Sequence, residues 1–291
     1  MAQEKEVITA RTSLESPPDS RLQTPNKADN PAPGSSSRLV NHFCQDIRTS
    51  VIVEIQLLIL TFCTGIQDAT SFPDYHCFAS NQTGNTVFLC LALVIPSFDG
   101  QMFYTANIGI SLGLFLAAGW LTGQLGHLLG PRRRWFLAAC NLLQSALVLL
   151  AAGLQWRAGV YGPGLPPPGE DHGPTARAVI GLLAAASGSQ VVQSRSLAAT
   201  EISTAMATAA WVDLLIDRRL LVLNNRPRTR RASFLLALAA GSLLGALMYR
   251  TVGSAWAVAV SAIGKLLVTA MYLFVRGETK GEKKKQEALP A

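Results

Sequence analysis

"GIQDATSFPDYHCFASNQTGNTVFLC", residues 65–90, joins two apolar runs through an interval crowded with polar side chains. The first run starts at Val51 and reaches Asp68, and the second resumes at Val87. Between them stand Pro73, Asp74, His76, Asn81, Thr83, Gly84 and Asn85. A chain that interrupts a hydrophobic segment must satisfy the freed backbone groups locally, and polar residues of this kind can do so. Which solvent the segment sits in decides what such an interruption means.

Composition answers that. Of 291 residues, 49% are hydrophobic and 15% charged, against about 25% charged in ordinary soluble domains. The apolar residues fall in long blocks from Val51 onward, and segments hydrophobic on every face belong in lipid. The net charge of +7 does not point to nucleic acid. Its basic residues form short clusters beside apolar blocks, the pattern of cytoplasmic membrane loops. Five cysteines without a CxxC pair and four scattered histidines give no disulfide framework or metal cluster. No HExxH, Walker A or GxSxG motif occurs. The expectation is a protein that is not an enzyme, needs no cofactor and has the bilayer as its partner. Residues 1–47, rich in Pro, Ser and balanced charge, read as a disordered cytoplasmic tail, and 277–291 as a basic cytoplasmic tail.

A helix needs about 20 residues to cross the hydrocarbon. Six blocks qualify: 51–72, 103–126, 135–154, 177–195, 232–249 and 254–275. Two are poorer. Residues 82–96 reach only roughly 23 Å as a helix against a core of roughly 30 Å, and residues 200–217 carry Glu201, Asp213 and Asp217. If all eight cross, Arg132, Arg133 and Arg134 fall on the opposite side from the other basic clusters. If the two poor blocks return to the side they entered, these arginines, the 218–231 run and the lysines of 280–285 all share one side. That obeys the positive-inside rule, with both termini cytoplasmic. Each half (48–154 and 177–276, joined by a Pro/Gly-rich loop over 155–176) then reads span, short block, span, span. Three crossings per half make the halves an inverted 3+3 repeat, a frequent plan of secondary transporters. Echoes exist: GIQD at 65–68 against GSQV at 188–191, and small-residue spacings at Gly109/Gly113 and Gly119/Gly123 against Gly241/Gly245. The expected fold is an all-α integral membrane protein with six full transmembrane helices and two short or re-entrant ones.

Gly65-x-x-Asp68-Ala69-x-x-Phe72, followed by Phe78-x-x-Asn81-x-Thr83-Gly84-Asn85, resembles the signature of the YoaK-like membrane proteins, catalogued as domain of unknown function 1275. The resemblance spans roughly residues 48–276. In the second half Gly188 and Gln190 fit a Gly-x-Gln pattern. There Val191-Val192 stand where the family has Asn-Ala, and Ala209 follows Thr208 in place of a glycine. The resemblance implies a multi-spanning membrane protein and no particular activity.

Nine residues form the candidate substrate site: Asp68 with Gln67, Asn81, Thr83, Gly84 and Asn85 in the first half, and Gln190, Arg195 and Glu201 in the second. A carboxylate in lipid costs about 2.5–3.5 kcal/mol, so Asp68 is protonated, partnered or facing water. The start of the 82–96 helix either offers free N–H groups to an anion or is closed by an Asn81 or Thr83 cap. Arg195 either pairs with Glu201 or binds an anionic substrate. Glu54 reads as interfacial, and Lys265, central in the last span, as pairing with a carboxylate such as Asp213. The functional expectation is a secondary transporter or permease of a small polar solute, proton-coupled through Asp68, with the two broken elements converging on one cavity. The alternative is a membrane scaffold or assembly factor, homo-oligomeric through its Gly-rich helices.

Overall fold

The computed structural model describes residues 42–158, 173–197, 199, 201–202, 204–222, 224–275 and 277. Most of the 1–47 tail, most of the 155–176 loop and the lysine tail lie outside them. Among the described residues, eight α-helices of nine residues or more follow in order: α1 (Val51–Tyr75), α2 (Gln82–Val94), α3 (Thr105–Leu129), α4 (Arg134–Ala158), α5 (Gly173–Ser196), α6 (Ala207–Leu215), α7 (Arg226–Thr251) and α8 (Ser254–Phe274). Six of them, all but α2 and α6, are long and apolar enough to cross a membrane.

Local chemistry sets the boundaries. The Ser50 hydroxyl accepts Val53 N–H at the start of α1, and His76 ends it in the left-handed region at φ 53°. α7 begins six residues earlier than hydropathy alone indicates. Asn225 caps it by accepting Arg228 N–H, and Pro227 needs no hydrogen-bond partner in the first turn. Its arginines find acids: Arg226 and Arg230 reach Glu54 at 2.6 and 2.5 Å, Arg230 reaches Glu201 at 3.2 Å, and Arg231 lies 3.6 Å from Asp213. Glu54, read from the sequence as interfacial, is thus paired with two arginines at the end of the bundle. α7 turns into α8 through Val252 and Gly253 alone, and the φ of 96° at Gly253 is one that L side chains rarely adopt.

In lipid, apolar faces gain little by meeting each other, so helix association rests on close packing and on hydrogen bonds between helices. α1 packs on α7 and α8, α5 packs on α3 and α4, and α4 packs on α8. α2 lies on α3, and α6 on α7. Exchanging α1 with α5, α2 with α6, α3 with α7 and α4 with α8 maps this set of contacts onto itself. The two equivalent crossings are backbone-close. A Cβ on Gly188 would stand 2.2 Å from the Phe115 carbonyl oxygen across α5–α3. A Cβ on Gly241 would stand 2.1 Å from the Phe62 carbonyl oxygen across α7–α1. Outward faces of α3 and α7 present Leu116, Trp120, Leu121, Leu243 and Leu247 to the lipid.

The described chain begins and ends on one end of the bundle. Ile47 bridges Gly277 and donates its N–H to the Arg132 carbonyl at 2.8 Å. Fully buried Arg134 donates to the carbonyls of Leu273 (3.0 Å) and Val275 (2.5 Å) and to the His42 ring. With the α7 arginines at the same level as Glu54, this is the basic end.

Both short helices belong to hairpins that leave by the end they entered. After Tyr75 the chain doubles back along α1. Ser80 donates its N–H and hydroxyl to Asp68 at 2.8 and 2.5 Å, and Asp68 lies seven residues, about 10 Å, below the helix end. α2 then climbs out, with Phe88 stacked on Phe103 at 5.5 Å. The Asp99 carboxylate, near the top, accepts Thr105 N–H and hydroxyl at the start of α3. In the second hairpin α6 begins at Ala207, inside the 200–217 block, and the described residues just before it lie against α5. Thr204 donates to Ser194 at 3.4 Å. α6 leads out to Asp217, which accepts the Asn225 amide and Arg219 N–H.

The two hairpins do not converge. α2 follows the Tyr75 end of α1, whereas α6 borders the α7 arginines that pair with Glu54 at the other end of α1. Along α1 the first hairpin reaches Asp68, and Arg230 ties the second to Glu54, about 21 Å away along the helix. Each hairpin is anchored by partners at its own end of the bundle, so among the described residues the two do not meet around a shared chamber.

Candidate functional site

What occupies the middle of the bundle is a layer of polar side chains from α1, α4, α5 and α8. Lys265, fully buried, donates to Gln190 Oε1. Gln190 in turn donates to the Thr64 hydroxyl at 2.9 Å. Gln67 donates to Ser261 at 2.6 Å, one turn from Lys265. Asn141 donates to the Lys265 carbonyl at 2.7 Å and to Thr269 at 2.8 Å. Gln144 donates to Ser189 (3.1 Å) and Gln193 (2.9 Å), and Gln193 donates to the Leu137 carbonyl.

Apolar clusters close this layer on both sides. Towards the basic end lie Leu57, Leu60, Leu137, Leu197, Phe234 and Val268. Towards the opposite end lie Phe103, Ile108, Val148, Val179, Leu183 and Val258. On every contributing helix the polar residues fall between members of the two clusters: Gln67 between Leu60 and Tyr75, Gln144 between Ala138 and Val148, Gln190 between Ala186 and Leu197, and Lys265 between Ala262 and Val268.

Several of these groups are short of partners. Gln67 Oε1, Asn141 Oδ1 and Gln144 Oε1 are buried without a hydrogen bond, as are both amide atoms of Gln56, the Tyr272 hydroxyl, Asn107 Oδ1 and Gln155 Oε1. Each such atom costs about 1–3 kcal/mol if nothing satisfies it. At 1.5 Å per residue, Tyr272 and Gln56 lie within about 10 Å of the basic end. Asn141, Gln144 and Gln67 occupy the middle, and Gln155 and Asn107 lie near the far end. Taken by their positions along the helices, they are spread from one end of the bundle to the other.

The sequence-derived candidates divide between this layer and the hairpins. Gln67 and Gln190 lie in the layer, at matching places in GIQD and GSQV. Asp68 is engaged by Ser80 and serves the first hairpin. Asn85 clamps the same turn: it accepts Phe78 N–H at 2.9 Å and donates to the Phe78 carbonyl, Gln82 and Ser111 at 2.8, 2.9 and 3.2 Å. Asn81 caps α2 by accepting Gly84 N–H at 3.4 Å. Gly84 leaves room for Phe78, whose ring would stand 3.1 Å from an added Cβ. Thr83 is exposed. Of the alternatives posed for the start of α2, the cap is therefore the one found.

Arg195 and Glu201 line a cavity of about 280 Å³ at the basic end with Ser194, Met206, Asp213 and Arg231. They do not pair with each other. Arg195 donates to Met206 Sδ at 2.9 Å, and Glu201 accepts from Arg230. Lys265 does not meet Asp213, which is held by Arg231 near the basic end. Missed as a group were Lys265, Asn141, Gln144, Gln193 and Ser261. Their signal was a polar residue at the centre of an apolar block, visible singly but not as a set.

The architecture defines a helical membrane protein of six long apolar spans with two re-entrant hairpins and a polar layer at mid-depth. The chain belongs to the family described as protein of unknown function DUF1275, whose model matches residues 56–271. No curated protein and no solved structure matches it.

Proposed function

We propose that the protein is a secondary transporter or permease that carries a small polar solute past the buried polar groups spread along the bundle. The observation that carries this reading is that spread itself. Buried polar atoms are paired in the great majority of cases, and orphans spaced from one end of a bundle to the other call for a polar occupant. The two apolar clusters make the present arrangement occluded. Alternating access then consists of loosening one cluster at a time around the layer, as in transporters built of two inverted halves. The exchange of contacts between halves supports such an inverted repeat. By the positive-inside rule the basic end faces the cytoplasm, and the 280 Å³ cavity at Arg195 and Glu201 is its vestibule. Proton coupling through Asp68 would require breaking the Ser80 turn during the cycle.

The test is flux into proteoliposomes of the full chain, across a panel of radiolabelled small solutes. Transport of at least one solute above protein-free vesicles is expected. Gln67→Leu and Gln190→Leu should lower it at least tenfold while keeping a monodisperse elution profile. Folded, correctly inserted protein that moves none of the panel would sink the reading.

A scaffold role has one feature in its favour. Gly109 and Gly113 on α3 would each carry an added Cβ with nothing within 4 Å of it, beside exposed Leu116 and Trp120. Oligomerisation through this face predicts disulfide-trapped dimers for Gly113→Cys in membranes.

A further inference from the structure

We propose that Lys265 is the binding residue for the anionic group of the transported solute, and that the solute is a small carboxylate bearing its own O–H or N–H donors. This rests on the transport reading and names the substrate class for the same layer.

The amine is fully buried at the centre of α8, and among the described residues it makes no ion pair with a carboxylate. A lone ammonium in low dielectric is heavily penalised, and buried charges are paired or neutralised. Lysine has three N–H donors. One goes to Gln190 Oε1, leaving two for an oxyanion. The neighbouring donors on α1 and α5, the Thr64 hydroxyl and the Gln190 amide, are spent: Thr64 donates to Leu60 O, and Gln190 donates to Thr64. The charge of the solute therefore falls to Lys265.

The unmet groups around it are of the opposite kind. Gln67 Oε1, Asn141 Oδ1 and Gln144 Oε1 are acceptors without donors. Asn141 is bonded to the Lys265 carbonyl, and Gln67 is bonded to Ser261, one turn away. A halide would answer the ammonium and leave these oxygens empty. A cation would answer the oxygens and repel the ammonium. A carboxylate with a hydroxyl or amino group answers both.

Thermal unfolding of the full chain in mild detergent tests this, with potassium L-lactate, acetate and chloride and with glycerol as probes. Lactate should raise the midpoint most, acetate less and chloride least, because only lactate meets both kinds of group. Lys265→Met should abolish the lactate shift. Its own midpoint without additives should stay close to the native one, since loss of an unpaired buried charge offsets the stranding of Gln190 Oε1. Lys265→Gln serves as a second variant with the same expected loss of shift, should the methionine variant not fold. A lactate shift absent from the native chain, or retained in either folded variant, overturns the proposal. Flux separates this from the transport reading. Glycerol flux that Gln190→Leu abolishes, with no carboxylate effect, leaves transport standing and removes the anion site. A Lys265-dependent lactate shift without flux of any solute does the reverse.

Discussion

The two halves of the chain cross their helices alike and build their hairpins differently. At the crossings, Gly188 on Phe115 and Gly241 on Phe62 bring backbones to the same proximity. At the hairpins the chemistry parts. The first is aromatic and, among the described residues, holds no ion pair, with Phe78 stacked on Phe72 at 4.8 Å, Ser80 on Asp68 and Asn85 stitching the turn. The second is charged, held by Arg230 and Arg231 against Glu201, Asp213 and Asp217, and leaves a cavity. Where the lipid interior demands internal hydrogen bonds, the deep hairpin meets the demand with a short polar motif. Where solvent is near, ion pairs suffice. The crossings thus set the frame, and the hairpins are where the halves are free to diverge.

That contrast can be broken most directly at the crossings. Gly188→Ala and Gly241→Ala should each cost about 3 kcal/mol or more, because the added carbon meets a backbone carbonyl that cannot give way. Fluorescence-detected thermal unfolding in detergent should find both losses large and similar. A mild effect at one of them would mean that the halves do not cross alike.

Next comes the deep hairpin. Asn85→Leu strands Phe78 N–H and Gln82 Oε1, an expected loss of about 2–4 kcal/mol. It should also open residues 76–81 to hydrogen exchange, and unchanged exchange there would show that the clamp is dispensable.

The charged end should respond less, and with a dependence on salt. Glu54→Gln removes the shared partner of Arg226 and Arg230. It should cost about 1–3 kcal/mol, with the gap to the native chain narrowing in high salt for the partly exposed Arg226. An Asn85→Leu deficit should not vary with salt, and equal salt responses would erase the distinction between the hairpins.

The smallest expected effect concerns acid. Arg219 N–H, then the Asn225 amide, hold Asp217 below the usual carboxylate range. Stability tied to this group is complete above its unfolded-state pKa near 4. It fades as pH falls through the lower folded value. Asp217→Asn should therefore flatten the acid limb of a stability–pH curve slightly and leave the neutral region unchanged. A displaced neutral region would point to a larger role for the 217–225 turn.

The order of spans was legible because hydropathy is a property of each segment alone. All six long helices match their sequence blocks to within a few residues, α7 excepted. Its first turn is made helical by Asn225, Pro227 and acids on other segments, none of which enters a hydropathy sum. The candidate site was less legible. The GxxDA and TGN elements stand out as motifs because a tight turn needs fixed residues at fixed spacing, and that turn is what most of them build. Gln67 and Gln190 were reached through the GIQD/GSQV echo. Asn141, Gln144 and Lys265 lie one to a helix or three residues apart, so no local pattern joins them.

From its sequence alone, then, this protein was determined to be a six-span helical membrane protein of its family, with two short or re-entrant helices and its basic residues clustered beside the spans, because lipid imposes length, polarity and charge rules on each segment separately. Tertiary structure alone decided that the hairpins, entered from opposite ends, do not converge, and that amides and a lysine from four helices meet at mid-depth. Those contacts join residues up to about two hundred positions apart, such as Gln67 and Ser261, and it is the packing of α8 on α1 and α4, and of α5 on α4, that brings them within hydrogen-bond reach.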